Sequence, residues 1–453
     1  MKSCKIMVPY GSIGFGQPQV VFDRGLALKP DAIATDAGST DSGPYYLGTG
    51  SVKYAEGAVR RDVKQCVLGA HKLGIPLLIG SCWTCGVDSG VDTIERIVRE
   101  ICAEAGIHGK KLVKIYSEQT PELMKQKYRE GKVFPLDNAP PIDESTFDGC
   151  SHIVALCGAE PFVEALKDGA DIILSGRCTD TAVIAAFALY KGCNAAAAWH
   201  GGKVCECGPC CTTVAQDNGV ILTVDETGFE VESLAEGSEA TPYTCSAHML
   251  YENSNPFELI EPSHILNVKD AVYSALPGGR TRVEGSKYIE KPYTMKLEGA
   301  GPTGYQTISL VGIMNDDVTR DPMKWIEGVS AYMTKKLSEQ NYPMDDFSFN
   351  LLPYGWNAVT GVYIEPGTYQ PREIGVMLVV TAKTQELAHE VAKAWNPQLL
   401  HYCEEKDTLL RTYAFPFSPN EIDKGLLYEF KLNHAVEVSS PMELVRVEKT
   451  TIE

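Results

Sequence analysis

Residues 36–44 concentrate side chains that could do chemistry. They follow an apolar stretch and contain two carboxylates, Asp36 and Asp41, among glycines and hydroxyl groups. Two carboxylates in one loop suit a cation site or acid and base catalysis, and glycines and hydroxyls let a ligand approach closely. The same residue types also form ordinary capped turns. We predict catalytic roles for both carboxylates and substrate-binding roles for the residues Gly38, Ser39 and Thr40.

A second polar segment, residues 176–181, follows the apolar residues 172–174 closely. Arg177 is suited to clamping a carboxylate or phosphate, and Asp180 is either a functional carboxylate or, like Thr181, the cap of the following helix. Ligands of open α/β sheets bind beyond the carboxyl ends of the strands, where this segment is expected to lie. We therefore predict that Arg177 and Asp180 belong to a catalytic site.

Cysteines form two notable groups in this chain of 15 cysteines. Cys82 and Cys85 have the CxxC spacing of a redox pair or of half a metal site, without a second half at zinc-ribbon spacing. A denser thiol group could bind zinc or an iron–sulfur cluster, or reflect chance clustering. Its predicted metal ligands are Cys205, Cys207, Cys210 and Cys211. Within it, Glu206 is a candidate acid or base and Cys207 a candidate reactive thiolate.

Two further candidates are single side chains. His248 and Glu252 are spaced to share one face of a helix predicted near residues 246–252, which suits a ligand site or a surface pair. Lys296 is a positive group in an acidic chain, and an anionic substrate would need such groups locally. We predict substrate-binding roles for His248 and Lys296.

The elements that position these residues follow from the hydrophobic pattern. Residues 1–215 alternate β-rich and helical stretches, which predicts a Rossmann-like α/β domain with a parallel sheet. Residues 216–345 predict a mixed α+β region that continues the main body, and residues 346–453 a small α+β domain. Particular expectations are a helix capped by Thr120, a helix over residues 181–190 and a strand over residues 358–364.

Composition excludes several classes of protein. The net charge is −18 with 41 Lys and Arg against 59 Asp and Glu, so binding to nucleic acid or to an anionic membrane is not expected. No apolar run is long enough for a transmembrane helix, and the N-terminal run is too short for a signal peptide. Reduced cysteines then favour a cytoplasmic location.

Six ordered segments resemble the acyclic terpene utilisation AtuA-like family, formerly a domain of unknown function. They are residues 36–48, 175–180, 206–208, 246–252, 293–300 and 414–419. The resemblance implies an α/β N-terminal portion and a ferredoxin-like C-terminal segment. It also implies a place in the catabolism of acyclic terpenes through branched acyl-CoA intermediates, with hydration or lyase chemistry.

The leading hypothesis is a catabolic lyase or hydratase that acts on a small carboxylate-bearing or CoA-linked metabolite. Arg177 would anchor the anion, and Asp36, Asp41 or Glu206 would move a proton at a carbon next to a carbonyl, with the help of a divalent metal ion if one is bound. One alternative is a thiolate zinc or iron–sulfur enzyme. Another is a non-catalytic subunit that binds a nucleotide or acyl-CoA and pairs with a small partner subunit. We expect a homo-oligomer.

Overall fold

The structure, a computed structural model, describes residues 2–403 and 413–453. The chain forms two compact units, Met1–Gly301 with Phe430–Glu453, and Pro302–Glu429. The changes of sequence pattern at residues 215 and 345 fall inside these units. The strands that follow residue 215 join the same sheet as the strands that precede it.

The elements alternate along the first part of the chain, as the pattern predicts. The strands are β1 (Cys4–Val8), β2 (Ala32–Asp36), β3 (Leu77–Gly80), β4 (Lys110–Tyr116), β5 (Val133–Pro135), β6 (His152–Ala155), β7 (Ile172–Ser175), β8 (Val220–Val224), β9 (Gly228–Ser233), β10 (Glu258–Ile260), β11 (His264–Asn267), β12 (Val272–Leu276), β13 (Arg280–Glu284), β14 (Lys287–Glu290), β15 (Thr294–Ile313), β16 (Phe347–Tyr354), β17 (Ile374–Ala382), β18 (Tyr413–Ala414), β19 (Ile422–Glu437) and β20 (Arg446–Ile452). The helices are α1 (Gln19–Ala27), α2 (Pro44–Thr49), α3 (Glu56–Leu73), α4 (Asp88–Ala105), α5 (Pro121–Arg129), α6 (Glu144–Asp148), α7 (Glu160–Lys167), α8 (Asp180–Lys191), α9 (Ala195–Cys205), α10 (Pro242–Met249), α11 (Asp316–Arg320), α12 (Pro322–Glu339) and α13 (Gln385–His401).

The first unit is built on a ten-stranded mixed sheet with the order β12-β13-β9-β8-β1-β2-β3-β7-β4-β20. Its five central strands, β1, β2, β3, β7 and β4, are parallel. Strand β8 pairs antiparallel with β1, and β20 pairs antiparallel with β4. The α/β class is therefore confirmed, and the parallel arrangement holds for the centre of a sheet that also has antiparallel flanks.

Both faces of β2, β3 and β7 are buried, which is why most of their residues are apolar. In β1, Ile6 and Val8 pack in the core that contains α7, α8 and α9. The intervening Met7 packs in the core that contains α1, α3 and α4. Helices on both faces leave the carboxyl ends of the parallel strands free to form a ligand-binding edge.

Smaller groups of strands complete the first unit. Strands β10, β11 and β14 form an antiparallel three-stranded sheet. Strand β6 pairs with Leu297–Ala300 of β15, and β5 pairs with the end of β19 near Ala435. These pairings bring the first part of β15 beside β6, so that its polar residues join those of the first unit.

The second unit is an antiparallel sheet with helices. Tyr305–Ile313 of β15 pairs with β17, and β17 pairs with β16. Helices α12 and α13 supply Trp325 and Trp395 to the core of this unit. The strand predicted over residues 358–364 is wrong. These residues form a turn and irregular backbone, and Val359 is 85% exposed, so their β-branched side chains have no packed face to bury.

Gly86 tests how closely the loops at the carboxyl edge are packed. Its φ is +67°, and a Cβ atom there would lie 2.2 Å from the Arg177 backbone nitrogen. Gly74 is the matched control, because its φ is +66° and no heavy atom lies within 4 Å of the same position. We expect Gly74→Ala to cost about 1 kcal/mol of unfolding free energy through its left-handed backbone alone. Gly86→Ala should cost several times more in urea denaturation, and equal losses would contradict this packing.

Candidate functional site

Two adjacent cavities lie among the loops that follow the parallel strands. The first, about 700 Å³, is lined by residues after β1 and β2, by the end of α9 and by α10. The second, about 600 Å³, is lined by residues after β7, by the β10 region and by the start of β15. The residues that line both cavities are all acidic, and they are Asp41, Asp180, Glu206 and Glu252.

Arg177 is buried among carboxylates of the protein. Its Nε donates to Glu298 over 3.1 Å, and its Nη1 donates to Asp180 over 2.8 Å. Nη1 also donates to the hydroxyl of Ser81, which lies in the loop after β3. Burial opposes the charge of Arg177, but the neighbouring Glu298, Asp180 and Asp36 outweigh this effect and raise the pKa of Arg177 above its usual range. The predicted anion clamp thus already holds carboxylates of its own chain.

The carboxyls around Arg177 differ in protonation. Burial raises the pKa of Asp36 well above its usual range, and the hydrogen-bonded neighbour Asp180 raises it further. Burial also opposes the charge of Glu298, but Arg177 and Lys296 lower the pKa of Glu298 to about 2. The structure therefore brings together four of the predicted site residues, Asp36, Arg177, Asp180 and Lys296, with Glu298 between Arg177 and Lys296. Asp180 does not cap α8, because Thr179 accepts the Ala182 N–H and fills that position.

Glu206 is the buried carboxyl best poised for proton transfer. It directly follows α9, and its oxygens accept hydrogen bonds from Lys203 over 2.5 Å and from the Thr181 hydroxyl over 2.8 Å. Burial raises the pKa of Glu206 to about 7, with Lys203 acting against the rise. A group that titrates near 7 supplies both the acid and the base form at neutral pH.

The loop of residues 36–44 reaches both cavities through its acidic residue Asp41. The Ser39 hydroxyl donates to Asp41 over 3.1 Å and accepts the Asp41 N–H, which fixes the turn. The Thr40 side chain hydrogen-bonds to Glu298. Gly38 has φ +135°, and a Cβ there would lie 2.6 Å from the Thr84 Cα, so glycine allows this loop to contact the loop after β3.

His248 lines the first cavity, although the helix that carries it differs from the prediction. Helix α10 ends at Met249, and Glu252 lies beyond it with φ +56°, so the predicted shared helical face is wrong. The His248 Nδ1 lies 3.2 Å from the Lys203 carbonyl and must donate to it. Burial lowers the pKa of His248 to about 4, which leaves the ring neutral at neutral pH.

Sequence reasoning missed three ionisable residues of the second cavity, which are Lys203, Glu261 and Glu298. Lys203 lies in α9, whose buried residues on all sides give no amphipathic pattern. Glu298 lies in the family-like segment 293–300, in which the sequence predicts a role for Lys296 alone. Burial raises the pKa of Glu261 to about 8, and its Oε2 has no hydrogen-bond partner.

The structure does not support the two thiol hypotheses. Cys82 and Cys85 are buried, and burial raises the pKa of the Cys85 thiol to about 12, which is typical of an inert thiol. Burial also raises the pKa of Cys207. Cys205 and Cys211 are buried whereas Cys210 is exposed. Within the described residues, no three His, Cys, Asp or Glu side chains converge as a metal site requires, and this includes the four predicted thiol ligands.

The fold and the site define an α/β protein with ionisable cavities at the carboxyl edge of parallel strands. The family model of the acyclic terpene utilisation family protein AtuA matches residues 88–412. The chain belongs to this family, which confirms the resemblance and implies a role in acyclic terpene utilisation. No curated protein and no solved structure matches the chain. Within residues 2–403 and 413–453, no helix is long and apolar enough to cross a membrane.

Removing the Arg177 charge tests the buried ion network. Arg177→Met removes the cationic partner of the half-buried Asp180 and one of the two cationic partners of the buried Glu298, so we expect a loss of about 3–5 kcal/mol of unfolding free energy at neutral pH. Adding Glu298→Gln should restore part of the loss. Arg60→Met is the control, because Arg60 pairs at the surface with Glu100 and Glu104 and should matter little. Equal losses for Arg177 and Arg60, measured by urea denaturation, would contradict the network.

The buried Glu261 predicts a pH dependence of stability. Its folded pKa, about 8, lies above its unfolded value. At a pH between these two pKa values, the folded state keeps a proton that the unfolded state releases. The contribution to stability is complete below the unfolded pKa and is lost as pH rises through about 8. Glu261→Gln should reduce the fall in melting temperature between pH 5 and about pH 9. The exposed Glu290→Gln is the control, and identical curves for all three proteins would refute the assignment.

Proposed function

We propose that the chain is a catabolic enzyme of the lyase or hydratase type. Its substrate would be a small carboxylate-bearing or CoA-linked metabolite of acyclic terpene utilisation. The observation that carries this proposal is Glu206, a buried cavity carboxyl with a pKa of about 7. The family's role supports the class of metabolite, and the chemistry follows from the carboxyl and its surroundings.

In this proposal Glu206 removes or returns a proton at a carbon next to a carbonyl. The bonds from Lys203 and Thr181 fix the orientation of its carboxyl, which keeps an oxygen positioned for the reacting carbon. Burial gives Glu206 more basicity than a surface carboxylate has, because the charged form is less well solvated. Such proton transfer is the shared step of hydration, dehydration and related eliminations.

The walls of the cavities suit an amphipathic metabolite. Apolar side chains of Leu156, Leu259 and Pro262 line the second cavity and could cover a branched hydrocarbon chain. Lys296 pairs with Glu298 over 2.9 Å, but its side chain lines the same cavity and is 43% exposed, so part of it remains accessible to an anionic substrate. Arg177 supports the site by holding Asp180 and Glu298, and Lys296 takes over the anchoring role first assigned to Arg177.

A divalent metal ion as cofactor, assembly into a homo-oligomer and association with a small partner subunit stay predictions. A thermal-shift screen with free branched acids and their CoA esters tests the substrate class, because a ligand of the folded state raises its melting temperature. Ligands that bind should then be tested for turnover. Tight binding of an acyl-CoA without turnover by the isolated chain would favour the non-catalytic subunit and contradict the enzyme.

Glu206→Gln tests the proposed base. This variant keeps the side chain's shape and cannot accept the proton, so we expect turnover of the screened substrate to fall by about 10²–10⁴-fold. Glu122→Gln, an exposed glutamate on α5, is the matched control and should retain wild-type turnover. Unchanged turnover in a folded Glu206→Gln protein would remove Glu206 from the mechanism.

A further inference from the structure

Glu261 is a second buried carboxyl in the cavity that contains Glu206. It is 4% exposed, lines the second cavity and leaves its Oε2 without a hydrogen-bond partner. A buried polar atom that lacks a partner is costly, and such atoms in folded proteins call for an explanation. A substrate oxygen in the cavity would supply the missing partner.

The backbone holds Glu261 firmly in place. It lies between β10 and β11, and its N–H donates to the His264 carbonyl over 2.9 Å, which closes the turn between the two strands. The Lys291 ammonium donates to the carbonyl of the next residue, Pro262, over 2.8 Å. A carboxyl on such a turn is suited to meeting a substrate without a large rearrangement.

The environment of Glu261 favours its protonated form. Burial raises its pKa to about 8, and the charge of Glu206 raises it further. Hydrogen bonds of the Thr179 and Thr181 side chains to the carboxyl, and the charge of Lys203, act against the rise. Lys291 is a further charged neighbour, and its own pKa is lowered by burial. Around neutral pH, Glu261 therefore holds a proton while a fraction of Glu206 is ionised. Two carboxyls in one cavity thus provide an acid and a base.

We propose that Glu261 is the general acid that protonates the leaving hydroxyl of a β-hydroxy thioester. This role rests on the proposed function. Glu206 takes the proton from the carbon next to the thioester carbonyl, and the electron pair of that C–H bond forms the new double bond. The C–O bond breaks, and the hydroxyl leaves as water with the proton from Glu261. Proton exchange with solvent then returns Glu206 to carboxylate and Glu261 to acid, and hydration is the reverse sequence.

Two reactions of the full-length chain separate the acid from the base. Dehydration of a branched 3-hydroxyacyl-CoA needs both groups, whereas exchange of the α-proton with D₂O in the saturated acyl-CoA needs only the base. Glu261→Gln should slow dehydration by about 10²–10⁴-fold and leave exchange within a few-fold of wild type. Glu206→Gln should lose both reactions. Glu258→Gln, on β10, is the matched control and should lose neither.

The possible results decide between the proposals. Normal dehydration by Glu261→Gln overturns the role of Glu261, as does an equal loss of dehydration and exchange, which would indicate a structural role. A wild type that neither dehydrates nor exchanges these probes overturns the proposed function and the acid role together. Infrared difference spectra of wild type and Glu261→Gln give a readout without substrate. They should show a protonated carboxyl that disappears as pH rises through about 8, and its absence at neutral pH would also overturn the role.

Discussion

The buried guanidinium of Arg177 is the interaction on which the carboxyl edge of the sheet depends. Glu298 and Asp180 bond to it directly. Burying an ion pair is expensive unless its hydrogen bonds are satisfied. The network is complete only when the loops after β2, β3 and β7 and the start of β15 are all in place. The same contacts therefore hold this edge together and position the residues of the site.

The backbone around Arg177 carries the strain of this arrangement. Ser81, Trp83 and Thr84 have positive φ angles, which non-glycine residues rarely adopt. Such strain persists only where the surrounding structure holds it, and it is concentrated at functional sites. The loop after β3 contributes no ionisable group to the site. Its Ser81 hydroxyl accepts a hydrogen bond from Arg177, and its Thr84 backbone contacts Gly38. Its structural role explains a segment that its CxxC spacing led us to interpret as redox or metal chemistry.

Local sequence signals predicted many helices and strands and the position of the carboxyl edge of the sheet. The remaining site residues depend on contacts between distant parts of the chain. Thr120 caps α5 as expected, since a hydroxyl before a proline-led helical pattern is a local feature. The position of Asp36 at the end of β2 and of Arg177 just after β7 could be predicted because strand ends can be recognised in the sequence. Helix α9 is buried on all sides, so its sequence has no amphipathic pattern that would predict a helix or single out Lys203. Glu261 could not have been found from its neighbours in the sequence, because its raised pKa comes from tertiary burial.

The pH dependence of α-proton exchange tests the central claim most directly, namely that Glu206 moves a proton at a carbon next to a carbonyl. The measurement follows deuterium incorporation into a saturated branched acyl-CoA by NMR over a range of pH. Glu206 acts as a base only when ionised, so the exchange rate should rise with pH and level off above about 7. A rate that does not change through this range, or that falls as pH rises, would contradict the claim.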